Sequence, residues 1–291
     1  MIRLSNGHTL DHVVASGSLA FDGKGWPWER PMVAAGLIRP DLFAVTLKTL
    51  TRQPRAGHLR WTNPWTCIRL LPEGGAVNKV GLTNPGIEWW LRDVAPRMTF
   101  ASIVSLWGEP DELAEMAAMV DALDLVGLEL NASCPNTGHP QVATDATVRA
   151  VEAVHAVSRH PLIVKTSVAQ DYIAIARATV GLAQAVSLNS VPWEIAFPDR
   201  RTPLRRLENR VGGGGGGVSG GPAQKLNWRA VAEIAADKTL PVIAPGIMAE
   251  ADVATVRAIG ASAVSYGSIH FRTPWKPTAI VRRDLASRAA A

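Results

Sequence analysis

Near its middle the chain reads Leu123-Asp-Leu-Val-Gly-Leu-Glu-Leu130 and then Asn131-Ala-Ser-Cys-Pro-Asn-Thr-Gly138. The first stretch is a short, mainly apolar run, which favours a buried strand. The second stretch places the thiol of Cys134 between the carboxamides of Asn131 and Asn136, which offer donors and acceptors without charge. A thiol in this position can act as a base in a reaction site. The alternative is a small buried cysteine at a turn, with asparagines that cap loops.

Short apolar, β-branched runs alternate with longer amphipathic stretches outward from this motif in both directions. This alternation predicts repeated βα units around a parallel sheet, an α/β fold. The predicted strands are residues 12–16, 43–48, 100–106, 125–130, 162–165, 185–189, 242–244 and 263–266. The predicted helices are residues 110–122, 144–159, 171–183, 227–236 and 250–259. Eight such units close a (β/α)8 TIM barrel, so we expect residues 1–291 to form a single domain.

Two connections are too long to be simple βα loops. Residues 52–90 follow the second strand and are rich in Trp, Pro and Gly, so we expect a loop excursion over the C-terminal face of the barrel, with room for a small hairpin. Residues 190–226 are predicted to form a second, glycine-rich long loop that contains six consecutive glycines, 212–217. These glycines lack the Gly-x-Gly-x-x-Gly or Walker spacing, so a mobile loop is favoured over a phosphate cradle.

The composition favours a cytoplasmic protein that does not bind membranes. The chain has two cysteines, no signal-peptide pattern at its start, and no apolar run of the roughly 20 residues that span a bilayer. The net charge is +5, and the densest basic group, between Arg200 and Arg210, lacks interleaved aromatic residues. A solvated loop is therefore favoured over a nucleic-acid interface. The seven histidines are dispersed and no Cys-x-x-Cys pair occurs, so we expect no metal site.

Polar residues end four of the predicted strands, where TIM barrels carry their chemistry. These residues are Lys48, the Asn131 motif, Lys165 and the pair Asn189-Ser190. One asparagine at a strand end is usually structural, but four such ends at one rim indicate a functional site. The last two strands are followed by small residues, in Ala244-Pro-Gly-Ile247 and Ser265-Tyr-Gly-Ser-Ile269. Loops at these positions often bind a phosphate through backbone N–H groups, which favours a phosphorylated cofactor.

Several blocks, spread over nearly the whole chain, together resemble the dihydroorotate dehydrogenases, FMN-dependent (β/α)8 barrels of pyrimidine biosynthesis. The most specific are the Asn131 motif and Gly75-Ala-Val-Asn-Lys-Val-Gly-Leu-Thr-Asn-Pro-Gly86. The others are Val14-Ala-Ser-Gly17, Leu47-Lys-Thr-Leu-Thr51, Pro54-Arg-Ala-Gly57, Val164-Lys165, Asn189-Ser190, Gly217-Val-Ser-Gly-Gly-Pro222 and Gly260-Ala-Ser-Ala-Val-Ser-Tyr-Gly267.

The resemblance implies a role for each matching residue. Cys134 becomes the base that takes the C5 proton of dihydroorotate, while the C6 hydride passes to N5 of the flavin. The residues implied to hold the orotate ring and carboxylate are Asn78, Asn131, Asn136, Asn189 and Ser190. Lys48 is implied to contact both flavin and substrate, and Lys165 the N1–C2=O edge of the flavin. The backbone positions implied to carry FMN are Ala15, Ser16, Gly221, Gly246, Gly267 and Ser268.

The cysteine base resembles the soluble class 1 enzymes, and the motifs resemble class 1B more than the fumarate-dependent class 1A. Class 1B implies an iron–sulfur and FAD subunit that passes electrons to NAD, and the family implies a homodimer. The chain departs from the family pattern at Pro245, which removes an N–H donor from the phosphate turn, and in its ten tryptophans. Two alternatives therefore stay open: an FMN barrel that acts on another dihydropyrimidine, and a flavin-binding paralogue without this activity.

Overall fold

The computed structural model of the protein describes residues 1–60, 62–132 and 144–290. The predicted base Cys134 and the predicted substrate residue Asn136 lie outside these ranges. The described residues form fourteen strands, eleven α-helices and three short 3₁₀ helices. None of the described helices combines the length and the apolar character needed to cross a membrane.

The strands are β1 (Ile2–Arg3), β2 (Thr9–Leu10), β3 (His12–Val14), β4 (Ala44–Val45), β5 (Ile68–Leu71), β6 (Gly75–Asn78), β7 (Ile103–Leu106), β8 (Gly127–Asn131), β9 (Leu162–Thr166), β10 (Ala185–Leu188), β11 (Val191–Pro192), β12 (Gly217–Gly220), β13 (Val242–Ala244) and β14 (Ala263–Tyr266). The α-helices are α1 (Arg30–Ala34), α2 (Ile87–Asp93), α3 (Pro110–Val120), α4 (Thr144–His155), α5 (Tyr172–Ala178), α6 (Trp193–Ala196), α7 (Arg205–Val211), α8 (Gly221–Asp237), α9 (Glu250–Ala258), α10 (Ile269–Arg272) and α11 (Lys276–Ala289). The 3₁₀ helices are Pro40–Leu42, Pro64–Thr66 and Ala95–Arg97.

Eight strands form one sheet in the order β4-β3-β14-β13-β10-β9-β8-β7, and every neighbouring pair is parallel. Two further parallel bridges, Thr46 with Ile103 and Leu50 with Leu106, join the two edges of this sheet. The predicted (β/α)8 barrel is therefore confirmed. All eight predicted strands are present, although β4 is only two residues long where six were expected.

Apolar side chains fill the barrel interior toward the N-terminal ends of its strands. Val13, Ile103, Ile163 and Ile243 pack there in a buried cluster with Leu10. The antiparallel pair β1–β2 supplies Leu10 and so covers this end of the barrel. A second, larger core lies mainly between the strands and the surrounding helices. Because the N-terminal end is filled, only the C-terminal end is left for a ligand.

The two long connections meet in a second sheet of four antiparallel strands, ordered β11-β12-β6-β5. The hairpin expected within residues 52–90 is present as β5 and β6. Residues 190–226 differ from the predicted glycine-rich loop, since they contain β11, β12, α6 and α7. Gly75 on β6 permits the pairing of β6 with β12. A Cβ at this position would lie 2.1 Å from the carbonyl oxygen of Ser219 on β12.

Two helix ends differ from the predicted ones by five residues or more, for local reasons. The helix α8 begins at Gly221, six residues before the predicted start, with Pro222 in its first turn, where the missing N–H costs nothing. The helix α5 ends at Ala178 rather than at residue 183, and the chain then turns through Gly181 at φ +83°. The C-terminal helix α11 was not predicted.

Candidate active site

A cavity of about 580 Å³ lies at the C-terminal ends of the barrel strands. Its lining includes all but one of the predicted site residues that the structure describes. The residues included are Ala15, Ser16, Lys48, Asn78, Asn131, Lys165, Asn189, Ser190, Gly246, Gly267 and Ser268. Gly221 does not line it, whereas the preceding Gly220 does. These eleven residues come from eight different strands or their following loops and meet around one space, although they are scattered along the sequence.

Strand register explains why the central side chains meet. Asn131 on β8 is paired with Lys165 on β9, and Lys165 is paired with Ser187 on β10. Side chains alternate between the two faces of a strand, so Glu129 points to the same side as Asn131. All four residues line the cavity. One layer of the barrel therefore places an amide, an ammonium, a carboxylate and a hydroxyl side by side.

Protein contacts orient the carboxamides. The amide nitrogen of Asn189 lies 3.4 Å from the Oδ1 atom of Asn131, and the amide nitrogen of Asn131 lies 3.4 Å from the hydroxyl of Thr49. Asn189 also accepts a hydrogen bond of 2.8 Å from the backbone N–H of Ser190. Asn78 approaches from the second sheet, where its Nδ2 donates to the carbonyl of Gly217 at 3.4 Å. Such uncharged donors and acceptors match a planar ligand that carries amide groups.

A buried ion pair lies beneath these amides. The ammonium of Lys165 lies 3.1 Å from the carboxylate of Glu129, and their side chains are 10% and 7% exposed. Lys48 is buried as well and passes over Gly17, since a Cβ on that glycine would lie 3.0 Å from the Lys48 Cδ. Sequence reasoning identified both lysines but missed Glu129. The available signal was a single carboxylate inside an otherwise apolar strand.

The opposite wall of the cavity is formed largely by backbone at Gly220, Gly246 and Gly267. Gly220 and Gly246 have φ values of +79° and +86°, which L side chains rarely adopt. The Pro245 turn is held by α8, because the indole N–H of Trp228 donates to the Pro245 carbonyl at 2.9 Å and the Gln224 amide donates to the Gly246 carbonyl at 2.8 Å. A wall of exposed backbone opposite two lysines fits a phosphorylated, planar cofactor.

Aromatic residues form part of the cavity mouth. The rings of Trp26 and Trp28 stack at 5.8 Å with an interplanar angle of 12°, and the indole N–H of Trp26 donates to the Gly17 carbonyl at 2.9 Å. Trp28 and Trp65 line the cavity while remaining 51% and 48% exposed. Trp90 by contrast is buried in the core. The unusual tryptophans therefore divide between packing and the cavity mouth.

Cys67 is the cysteine that the described part of the chain contains. It is fully buried and does not line the cavity. Burial raises the pKa of the Cys67 thiol to about 11, so this thiol stays protonated near neutral pH and is a poor base. Cys134 follows shortly after Ala132, whose backbone N–H donates to the Lys165 carbonyl at 3.1 Å. The predicted base is thus three positions after the cavity residue Asn131 in the sequence.

Comparison with known proteins agrees with this geometry. Residues 32–288 match the profile of the family Dihydroorotate dehydrogenase. The protein named dihydroorotate dehydrogenase B (NAD(+)), catalytic subunit, of Desulforudis audaxviator is 34% identical over 94% of this chain and 88% of its own length. The proteins of the same name from Trichlorobacter lovleyi and Pelobacter propionicus are 34% and 33% identical over 79% of this chain and 76% of their own lengths. The chain belongs to the dihydroorotate dehydrogenase family.

Proposed function

We propose that this protein is the catalytic subunit of a class 1B dihydroorotate dehydrogenase, which oxidises dihydroorotate to orotate in pyrimidine biosynthesis. Family membership and the names of the relatives support the reaction. The observation that carries the proposal is the joint presence of Asn78, Asn131, Asn189 and two lysines around one cavity. A barrel of this family that had lost its substrate would have no reason to keep Asn131 and Asn189 in contact and Asn78 at the same cavity.

FMN is the cofactor that the cavity fits. When bound, FMN accepts the hydride that leaves C6 of the substrate. The backbone at Ala15, Ser16, Gly246, Gly267 and Ser268 would hold it, with Gly220 facing the cavity where the sequence motif had suggested Gly221. Pro245 supplies no N–H, so the neighbouring glycine amides would serve the phosphate. Lys165 would place its ammonium at the N1–C2=O edge and stabilise negative charge there.

The substrate would lie among the carboxamides. Asn78, Asn131 and Asn189, with Ser190, would donate to the ring carbonyls and the carboxylate and accept from the ring N–H groups, and Asn136 is predicted to join them. Lys48 would contact the substrate and the cofactor together. Cys134 would take the C5 proton as its thiolate, which a free thiol near pKa 8.5 provides only with help from nearby positive charge.

The experiment that tests this function is anaerobic mixing of the FMN-loaded protein with dihydroorotate. We expect the absorbance band of the oxidised flavin, at about 450 nm, to bleach. Dihydrouracil and dihydrothymine serve as matched substrates that lack the carboxylate. Bleaching by one of these and not by dihydroorotate would support the alternative dihydropyrimidine enzyme, and bleaching by none would support a paralogue without the activity.

A partner subunit is also part of the proposal, because the relatives are named catalytic subunits of an NAD-linked enzyme. The partner would carry FAD and an iron–sulfur cluster and would pass electrons from the reduced catalytic subunit, itself a homodimer, to NAD. Reoxidation of the reduced protein by NAD only in the presence of such a partner is the expected result. Direct reoxidation by fumarate would instead indicate a class 1A enzyme.

A further inference from the structure

Glu129 is the one charged residue in the described lining of the cavity to which neither the family motif nor the proposed reaction gives a task. It is 5% exposed, lines the cavity and lies two residues before Asn131 on β8. Its carboxylate oxygen Oε1 is 3.1 Å from the ammonium of Lys165 on β9. The pair is thus shielded from water by the barrel wall on one side and borders the ligand cavity on the other.

Two hydroxyl groups hold the carboxylate, one from the neighbouring strand β7 and one from β10, two strands away. Ser105 on β7 donates to Oε1 at 3.0 Å, and Ser187 on β10 donates to Oε2 at 3.3 Å. Ser105 is the direct strand partner of Glu129, and Ser187 is the direct partner of Lys165. Both oxygens therefore receive donors, an arrangement that suits an ionised carboxylate.

The same hydroxyls connect Glu129 to the substrate side of the cavity. Ser105 is 2.9 Å from the hydroxyl of Thr49, and Thr49 is 3.0 Å from the hydroxyl of Ser16. Thr49 is also the group that lies 3.4 Å from the amide nitrogen of Asn131. A continuous polar network therefore runs from the amide proposed for the substrate to the lysine proposed for the cofactor, with Glu129 at its centre.

Stability alone gives a weak reason for such a pair. Removing two charges from water costs several kcal/mol for each ion, and replacing a buried ion pair with apolar residues is often neutral or stabilising. Apolar residues fill the barrel interior just below, at Ile163 and Ile103, so an apolar alternative fits this space chemically. The charges at Glu129 and Lys165 are better explained by what they do to a ligand in the cavity.

We infer that Glu129 is a positioning residue that fixes the ammonium of Lys165 and sets how much positive charge it presents to the cofactor. This inference rests on the proposed function, in which Lys165 meets the N1–C2=O edge of FMN. A carboxylate 3.1 Å from the ammonium offsets part of its field. Removing the carboxylate charge leaves more of that field for the anionic reduced flavin, so the flavin becomes easier to reduce.

The test is the midpoint potential of bound FMN in Glu129→Gln, which keeps the shape of the side chain and removes its charge. We expect the reduced state to be favoured at least tenfold over that in the unsubstituted protein, about 30 mV for a two-electron couple. Glu152→Gln makes the same chemical change at an exposed position on α4 and should leave the potential unchanged. Glu129→Asp keeps the charge at a longer distance and should shift the potential in the same direction by less.

A second measurement asks whether Glu129 acts through Lys165. In a Lys165→Met background, Glu129→Gln should raise the potential by less, because only the direct field of the carboxylate at the flavin is left to remove. A rise of the same size without Lys165 contradicts the inference, as does an unchanged potential in FMN-loaded Glu129→Gln. Should Glu129→Gln fail to fold, an unchanged potential in Glu129→Asp contradicts it equally.

Affinity of the apoprotein for FMN, followed by quenching of flavin fluorescence, gives a readout that does not depend on turnover. Loss of the fixed ammonium position should weaken FMN binding in Glu129→Gln severalfold and in Glu152→Gln not at all. Failure of the unsubstituted protein to bind FMN, or to be reduced by dihydroorotate once loaded, would contradict the proposed function. An FMN-loaded, dihydroorotate-reducible protein whose Glu129→Gln variant keeps both its potential and its FMN affinity contradicts only the role of Glu129.

Discussion

The side chains that surround the cavity are of two kinds, neutral carboxamides and an ion pair between a lysine and a glutamate. Asn131 and Asn189 hold each other at 3.4 Å, so neither has to reorganise fully when a ligand arrives. Lys165 and Glu129 bring charge to the same layer without leaving it unpaired. Fixed donors in a site that excludes water stabilise developing charge more strongly than they would in water. These four residues are therefore preorganised for ligand binding by their contacts with one another.

A prediction at the residue scale concerns Cys134, the proposed base. Cys134→Ser should slow flavin reduction by dihydroorotate about 10²- to 10⁴-fold, the usual contribution of a positioned general base, because a hydroxyl ionises far less readily than a thiol. FMN should stay bound. The measurement is stopped-flow reduction under anaerobic conditions, at several pH values.

Cys67→Ser is the matched control for this substitution. Cys67 does not line the cavity and its thiol pKa is raised by burial, so the reduction rate should not change. A Cys134→Ser protein that reduces its flavin at the original rate would remove Cys134 from the role of base.

Single residues at strand ends could be predicted from the sequence, and those inside strands could not. Lys165 and Asn189 interrupt the pattern where an apolar run stops, and the structure places both at the cavity. Glu129 is flanked by leucines on both sides, so its meaning depends on Ser105 and Lys165, which only the register of three strands brings to it. The cavity is lined by Gly220 and not by the predicted Gly221 for a similar reason, since the local turn decides which of the two glycines faces the cavity.

Among the elements, β12 and the start of α8 join the two long connections to the cavity wall formed by Gly220, Gly246 and Gly267. Gly220 ends β12 at φ +79° and precedes the first turn of α8. A Cβ on Gly220 would lie 2.5 Å from the hydroxyl of Ser268 and 2.8 Å from the Cα of Gly75. The absence of a side chain here allows β6, β12 and the loop after β14 to approach one another.

The prediction at this scale compares Gly220→Ala with Gly181→Ala. Both glycines have positive φ, +79° and +83°, but a Cβ on Gly181 meets nothing within 4 Å. Gly181→Ala should therefore cost only the backbone strain of about 1–2 kcal/mol. Gly220→Ala should cost more in the free energy of unfolding and should also weaken FMN binding. Chemical denaturation and FMN titration measure the two effects, and equal losses in both variants would contradict the proposed crowding at Gly220.

Elements with a strong internal pattern were predictable, whereas those formed by distant partners were not. The helices α3 and α9 begin at the predicted residues, 110 and 250, and both carry acidic residues in their first turns. The strands β11 and β12 exist because β6 pairs with β12, across more than 130 residues of sequence. A run of six glycines carries no periodic signal, so composition alone predicted a loop for residues 190–226. This segment instead supplies β11 and β12, two of the four strands of the second sheet.

Over the whole molecule, the barrel separates a reactive C-terminal end from a stabilising N-terminal end. At the stabilising end a charged cluster joins β3, α9 and α11. His12 lies 2.8 Å from Asp284, and Arg257 contacts Asp284 at 2.6 Å and Asp11 at 3.0 Å. The cluster fastens the final helix α11 to the barrel, and none of its residues lines the cavity. Alternation of strands and helices was enough to predict the barrel, but the cluster depends on α11, which was not predicted.

The prediction for this cluster is that Asp284→Asn destabilises the protein without changing flavin chemistry. Asp284 is 12% exposed and faces His12, Arg257 and Arg288, so its neutralisation leaves Asp11 as the remaining carboxylate partner of both arginines. The loss should lie between about 1 kcal/mol, the upper value for an exposed pair, and about 3 kcal/mol, the lower value for a buried pair, because both arginines are partly exposed. Asp93→Asn, which breaks the exposed pair with Arg92, should cost less than about 1 kcal/mol.

The pH dependence of this loss distinguishes charge from packing. Burial alone raises the pKa of Asp284, but hydrogen bonds from Arg257 and His12 outweigh burial and leave the pKa below its ordinary value of 3.8. A carboxyl whose pKa is lower in the folded than in the unfolded state adds stability above the unfolded pKa, and this stability disappears as the pH falls through the folded pKa. The difference in unfolding free energy between the unsubstituted protein and Asp284→Asn should therefore be largest near neutral pH and shrink below about pH 4. A difference that stays constant between pH 7 and pH 3 in urea titrations would mean that Asp284 contributes by packing and not by its charge.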